Sequence, residues 1–426
     1  MPLAIIRRLL RPLAGALCAA LLTACDEDPS GPRDDGVPGR ELLMVSHPDS
    51  ASAYDGVNAE LYVLDADGTG LTRIVSNPLV GEITSAHWAP DGRQIAFVAR
   101  ERMPEGGPWT ARLYAVNVDG GALRQVTPAD VRGDFAWSPD GMRIAYSAIE
   151  ADGSGSQTRL HMINADGTGD RVLTPGPPTG YESESSTNPS WSPDGRHIVF
   201  LRPALVTHQY TSGPAAGSTY DVIVSALWVV SADTADARMI AHVEAPTCNN
   251  GMYNYCADVG APRWSPAGSR IVFLSRTPGH SDNGYGALWS VDSSGADLRR
   301  FDGCSQSDNV PGAVVWSPDG ARLVYTSGPT SFGDSDIGGH LYVRGADGAG
   351  CMRLTGPTPN TVQSNYLATW SPDGTRLAFL RADQYRPEVS GVYVANADGT
   401  APRRILATPS WSRWYTTLVE WSPGAL

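Results

Sequence analysis

The chain has 426 residues, a formal charge of −13 and 41% hydrophobic residues. All 32 basic residues are arginine, so a Walker-A phosphate loop and Schiff-base chemistry, which both need lysine, are excluded on inventory. So acidic a chain is also a poor partner for nucleic acid, while 46 Gly and 33 Pro imply many turns between short elements.

The chain opens on a targeting pattern. Arg7, Arg8 and Arg11 precede an apolar run, Leu13 to Leu22, that is too short for a permanent membrane helix. The run ends in Leu22-Thr23-Ala24-Cys25, which resembles the bacterial lipobox. Residues 1–24 are therefore expected to be a lipoprotein signal peptide and Cys25 the lipidated residue, which puts the chain in the cell envelope, on the periplasmic side or the cell surface. Asp26 after Cys25 resembles an inner-membrane retention signal in some bacteria, and the choice of membrane stays open. Residues 25–40 are polar and rich in Pro, Gly and Asp, as expected of a disordered tether.

Residues 41–426 repeat. Trp-Ser-Pro-Asp-Gly stands at Trp137, Trp191, Trp316 and Trp370, with degenerate copies at Trp88, Trp264 and Trp421. The seven tryptophans are 49, 54, 73, 52, 54 and 51 residues apart, a period that indicates a propeller or another repeat array. In the copy at Trp137, the first turn is followed by a strand at Ile144 to Tyr146. A polar loop comes next, from about Ile149 to Thr158, and then a strand at Leu160 to Ile163. A second turn, Asn164 to Gly169, leads to a last strand at Arg171 to Thr174. Four short strands per repeat fit a propeller blade. The second turn recurs at Asp65 to Gly70, Val118 to Gly121, Ala346 to Gly348 and Ala397 to Thr400. Its Asp-x-Asp-Gly is read as a hairpin turn and not as a calcium loop, because the bidentate Glu of such a loop is missing at the required spacing.

The ends complement each other. Glu41 to Ser46, Leu61 to Leu64 and Leu71 to Val75 form three strands with no Trp strand before them, and Thr416 to Trp421 is a Trp strand with nothing after it. Pairing them closes the ring. The expectation is an all-β, seven-bladed propeller over 41–426, with six or eight blades as the alternative. The repeats resemble the PD40, or WD40-like, repeats of the TolB family of periplasmic β-propellers, through the W-S-P-D-G, I-A-F and L-Y-V-x-x-x-D-G elements. TolB resembles a six-bladed ring with an added N-terminal α/β domain, and the sequence departs from it on both counts.

Chemistry is sparse. No G-x-S-x-G elbow occurs; the nearest approach is Gly279 to Gly284, one residue too long and in a loop. His161 and His197 are expected to be structural. His47, His208, His280 and His340 fall in predicted loops, which keeps open a histidine-based lyase site of the kind carried by propellers resembling oligogalacturonate lyase. No cofactor and no metal is expected. Cys248 and Cys256 are the favoured disulfide, while Cys304 and Cys351 either pair or stay free. The repeated tryptophans and turn aspartates (Asp91, Asp140, Asp194, Asp319, Asp373) are assigned to packing between blades and to turns.

Antiparallel strands put the first and third connections of each repeat on one face and the second and fourth on the other. The second set is long and varied: Arg100 to Thr110, Pro175 to Asn188, Pro203 to Ser225, Val243 to Ala261, Thr277 to Gly286, Ser327 to Gly339, Gly356 to Tyr366 and Ala382 to Ser390. It carries Trp109, Tyr181, Tyr210, Tyr220, Tyr253, Tyr255, Tyr285, Tyr366 and Tyr385, and Trp414 arrives on the same side; these are candidate binding-surface residues. The functional expectation is a non-enzymatic, monomeric binding or scaffold lipoprotein that recognises an envelope protein or glycan through this face and meets the membrane only through Cys25. The alternative is a propeller enzyme, a polysaccharide lyase or a hydrolase, with a pore-lining site.

Overall fold

The computed structural model describes residues 41–46, 60–75, 82–102, 109–128, 130–151, 156–174, 186–209, 217–243, 258–276, 286–301, 304, 313–327, 339–355, 363–383, 386–407 and 416–424. These residues form seven four-stranded antiparallel sheets. Blade 1 joins β1 (Leu42–Ser46), β2 (Glu60–Leu64) and β3 (Thr72–Val75) to the last strand of the chain, β28 (Thr416–Trp421). Blade 2 is β4 (Ile83–Trp88), β5 (Gln94–Arg102), β6 (Trp109–Asn117) and β7 (Arg124–Gln125). Blade 3 is β8 (Val131–Trp137), β9 (Arg143–Ala151), β10 (Ser156–Asn164) and β11 (Arg171–Val172). Blade 4 is β12 (Thr187–Trp191), β13 (His197–Gln209), β14 (Thr219–Ser231) and β15 (Ala237–His242). Blade 5 is β16 (Asp258–Trp264), β17 (Arg270–Arg276), β18 (Gly286–Asp292) and β19 (Arg299–Phe301). Blade 6 is β20 (Val314–Trp316), β21 (Arg322–Ser327), β22 (His340–Gly345) and β23 (Met352–Arg353). Blade 7 is β24 (Gln363–Trp370), β25 (Arg376–Asp383), β26 (Gly391–Asn396) and β27 (Arg403–Ala407).

The expected closure is present. β28 pairs with β1 in register Leu42↔Trp421 to Val45↔Leu418, so the two ends share one sheet. Each Trp strand touches the Trp strand of the blade on either side, in the cycle β28, β4, β8, β12, β16, β20, β24 and back to β28. The Trp strands are therefore the inner wall of the ring, and their outward-running neighbours form the body of each blade.

The turn chemistry explains why the motif repeats. Ser138 N donates to Arg143 O at 2.8 Å, Met142 N donates to the Asp140 carboxylate at 3.0 Å, and Gly141 takes φ 69°. At the second turn Thr69 N donates to Asp67 Oδ1 at 2.8 Å and Gly68 takes φ 88°. These carboxylates are occupied by their own turns. The tryptophans join blades, as expected. The indole N–H of Trp191, Trp264 and Trp316 donates to the carbonyls of Ala136, Ser190 and Arg263 in the preceding Trp strand, at 3.1, 3.1 and 3.2 Å. Arg143, Arg322 and Arg376 lay their guanidinium groups over Trp191, Trp370 and Trp421 of the next blade at 4.7–5.0 Å.

The apolar core lies between blades. One cluster, for example, joins Leu43, Val63 and Ile74 of blade 1 to Trp88, Ile95 and Phe97 of blade 2. Blade edges meet face to face, and the strand period of two sends alternate residues of β5 to blades 1 and 3. An aromatic pair stacks across the middle strands of several blades: Phe97–Tyr114, Phe273–Trp289, Tyr325–Tyr342 and Phe379–Tyr393. In blade 3 the pair is Tyr146–His161, which accounts for His161 as a packing residue.

Several expected loops are strands. The ladder of β13 and β14 runs unbroken from His197↔Ser231 to Gln209↔Thr219, where a loop was expected over 203–225. Pro203 is compatible with this because β12 pairs β13 only as far as Leu201, so beyond it that side of β13 has no ladder to break. β5 and β6 likewise pair out to Arg102↔Trp109, and β9 and β10 to Ala151↔Ser156. Cys304 and Cys351 form a disulfide with Cα atoms 5.6 Å apart. It ties the chain just after β19 of blade 5 to the segment entering β23 of blade 6, beside the hydroxyl of Tyr325. Cys248 and Cys256 lie outside the described residues.

Candidate functional site on the propeller axis

The residue just before each Trp is, in blade order from blade 1, Glu420, His87, Ala136, Ser190, Arg263, Val315 and Thr369. Four of the seven are neutral and small or medium-sized, and three are ionisable. The three ionisable ones converge with Asp134 of β8. His87 Nε2 lies 2.9 Å from Asp134 Oδ1 and His87 Nδ1 lies 3.2 Å from Glu420 Oε2. Arg263 Nη2 approaches Asp134 Oδ2 at 3.8 Å. Blade 5 reaches blade 3 past blade 4, which is possible only across the axis of the ring. Phe135 packs edge-on against the imidazole, with ring centroids 5.1 Å apart.

A backbone irregularity positions Asp134. The β8–β9 register shifts between Val131 and Phe135, and Gly133 takes φ 76° there. This bulge re-aims the strand just ahead of the motif, and Phe135 N then donates to Asp134 Oδ1 at 2.9 Å. β16 has a matching shift between Gly260 and Arg263.

The electrostatics follow from the geometry. Burial within the ring opposes a charge on His87, but the carboxylates of Asp134 and Glu420 outweigh it and push its pKa up to about 10. Asp134 is likewise disfavoured as an anion by burial, yet the His87 cation and Arg263 bring it down to about 2. At neutral pH the cluster is an imidazolium held between two carboxylates, with a guanidinium beside one of them. Neither His87 nor Asp134 exchanges a proton near neutrality, so both serve as fixed charges. Their side chains are about a quarter exposed, and that of Arg263 is 37% exposed. Among the described residues no three His, Cys, Asp or Glu groups are arranged to hold a metal ion.

The sequence-based candidates fall elsewhere. Trp109 opens β6 opposite Arg102, and Tyr220 pairs with His208 on the long β13–β14 ribbon. Tyr366 is partly buried and packs against the cluster between blades 7 and 1. Tyr181, Tyr210, Tyr253, Tyr255, Tyr285, Tyr385, Trp414 and Cys25 lie outside the described residues, as do His47 and His280. Two of the supposed loop histidines are strand residues: His208 is in β13, and His340 opens β22, buried, with Arg353 Nη2 at 2.7 Å from its Nε2. Sequence reasoning passed over His87, Asp134, Arg263 and Glu420. The signal available was the position before each Trp, where departures from the repeat mark what the ring itself does not require.

The seven four-stranded sheets define a β-propeller, and its repeats are similar to PD40 repeats of the TolB type. The family model described as "TolB beta propeller domain" matches residues 45–212. The tricorn protease of Thermoplasma acidophilum is 25% identical over 79% of this chain and 28% of its own length. The Tol-Pal system protein TolB of Alcanivorax borkumensis is 32% identical over 28% of this chain and 25% of its own. The chain thus spans about a quarter of the length of these curated relatives. Among solved structures, an oligogalacturonate lyase from Vibrio parahaemolyticus superposes with a TM-score of 0.52 at 13% identity, covering 88% of each chain, a likeness of fold. These findings correct the functional expectation. The tricorn protease, matched over 79% of this chain, is an enzyme, and this overturns the expectation of a non-enzymatic scaffold.

Proposed function

We propose that this chain is the propeller of an enzyme of the hydrolase class acting on peptides, and that the substrate meets the ring on its axis at His87, Asp134, Arg263 and Glu420. The observation that carries the reading is the axial cluster. Four ionised groups from four blades gather on the axis, where blades 4, 6 and 7 hold Ser190, Val315 and Thr369. Packing a ring needs no such groups, and burying them is costly. A peptide offers the complementary chemistry: a carboxylate for Arg263, and an ammonium or amide N–H for Glu420 and Asp134. The sequence likeness to a protease over 79% of the chain supports the substrate class.

In this reading the four residues bind and orient the substrate. A uronate lyase would need a base for the proton next to the carboxylate. His87, protonated up to about pH 10, and Asp134, with a pKa of about 2, are both unsuited to that task.

In the same proposal the chain works outside the cytoplasmic membrane, with residues 1–24 removed, a lipid on Cys25 and residues 25–40 as the tether. The leader pattern supports this. So does the Cys304–Cys351 bridge, because such bonds persist in oxidising compartments. A Cys25→Ser variant is expected to leave the membrane fraction and to take up no labelled fatty acid.

The functional test is incubation of the purified full chain with a mixed peptide pool and, in parallel, with polyuronides, followed by mass spectrometry. Selective peptide cleavage is the expected result. An intact peptide pool, or unsaturated uronides in the second arm, would overturn the reading.

A further inference from the structure

A cavity of about 150 Å³ lies between blades 6 and 7, away from the axial cluster. Its walls are Leu341, Leu354, Leu377, Phe379, Ala395 and Pro402, with Thr355 and Arg381 as the polar members. Arg381 stands five residues beyond the start of β25, where the equivalent residues of blades 2, 3, 5 and 6 are Ala99, Ala148, Ser275 and Ser327. Blade 4 also has an arginine at this position, Arg202, whose guanidinium lies over Trp228 at 5.4 Å. Arg381 in addition lines the cavity.

The environment of Arg381 is apolar on one side and aromatic on another. Its guanidinium lies over the Tyr393 ring at 4.4 Å and near Phe379 at 5.6 Å, and its Nε–H donates to Asn365 Oδ1 at 3.0 Å. Among the described residues no carboxylate forms an ion pair with it. Asp383, two residues on, is engaged by Arg386 at 3.2 Å. Burial lowers the pKa of Arg381, and although Tyr393 and Asp383 act against this, the Arg386 cation beside Asp383 offsets part of their attraction. Such a cation at the edge of an apolar cavity is a costly feature that a bound anion would relieve.

We infer that this interblade cavity is a binding site for a small carboxylate with an apolar body, its carboxylate on Arg381 and its chain against Leu341, Leu354 and Leu377. The volume suits such a ligand: dry apolar cavities of about this size accept a benzene-sized guest. Pro402 is exposed and Arg381, Leu354 and Gly399 are half-buried, so the cavity opens on this side. The inference stands apart from the axial site, so either can fail without the other.

The test is isothermal titration of the full chain with hexanoate, hexan-1-ol and hexylamine. Hexanoate is expected to bind at least about tenfold more tightly than the alcohol, the range of a charge-assisted hydrogen bond, and the amine not at all. Arg381→Met should remove the preference for the acid, and Ala395→Leu, which fills the other end, should weaken acid and alcohol alike. Equal binding of acid and alcohol, a preference that survives Arg381→Met, or no binding of hexanoate to the folded chain would overturn the proposal. Should Arg381→Met fail to fold, the ligand series on the parent and the Ala395→Leu variant decide it.

Discussion

Replacing His87 with alanine removes the cation between Asp134 and Glu420 and leaves two carboxylates facing each other across the vacated ring. Holding the imidazole pKa at about 10 against an ordinary 6.5 corresponds to several kcal/mol, at about 1.36 kcal/mol per pH unit. The three side chains remain a quarter to a third exposed, so water recovers part of this and about 3 kcal/mol is the expected loss. For a ring of this size, with unfolding entropy near 2.1 cal/mol/K per residue, that lowers Tm by about 4 °C. The pH dependence has a definite sign. A raised folded pKa contributes stability that is fully present below about pH 6.5 and is lost as pH rises through about 10. Asp134, whose pKa is depressed to about 2, contributes above about pH 3.8 and loses that contribution as pH falls through about 2. The Tm difference between parent and His87→Ala should therefore be flat between about pH 4 and 6.5 and shrink from there towards pH 10. The measurement is a calorimetric pH series, with Asp134→Asn added to His87→Ala to recover part of the loss. A Tm change under about 1 °C at pH 6, or a difference that grows with pH, would refute the reasoning.

Deleting residues 416–426 removes the strand that pairs with β1 and should abolish the single cooperative melting transition; an unchanged transition would contradict the closure. Removing the Cys304–Cys351 bond releases a loop with a sequence separation of 47, worth about 4 kcal/mol in the chain-entropy account, so a Cys304→Ala/Cys351→Ala variant should melt about 5 °C below the oxidised parent, and an equal Tm would contradict it. Gly68→Ala puts a Cβ 2.4 Å from Ile405 O of the neighbouring blade, whereas Gly217→Ala, at a similar φ, meets nothing within 4 Å. Both pay for a positive φ, and Gly68→Ala should destabilise by at least about 1 kcal/mol more, read from urea midpoints.

The ring was legible because its signals are local and repeated. Each Trp-Ser-Pro-Asp-Gly is a turn whose Ser, Asp and Gly bond one another, so counting tryptophans counts blades. The unmatched ends, Leu42–Ser46 and Thr416–Trp421, imply their own pairing. What the sequence hid depends on how blades stack. The β13–β14 ribbon was obscured by Pro203, which breaks a strand only where a neighbour needs its N–H. Cys304 and Cys351 are remote in sequence and meet because blades 5 and 6 are adjacent. The axial cluster needs a closed ring and a bulge at Gly133 before Asp134, Arg263 and Glu420 come near His87. The motif drew the reading to its recurring residues, whereas three of the cluster sit one position before the Trp and Asp134 three positions before it.

If substrate is met on the axis, Arg263, the most solvent-exposed of the four at 37%, should meet it first. The most direct test is steady-state hydrolysis of a peptide cleaved by the parent, compared with Arg263→Ala at matched folding. An interaction that binds substrate without entering the chemistry should raise KM about tenfold or more and leave kcat within about twofold. Unchanged KM and kcat would contradict an axial site.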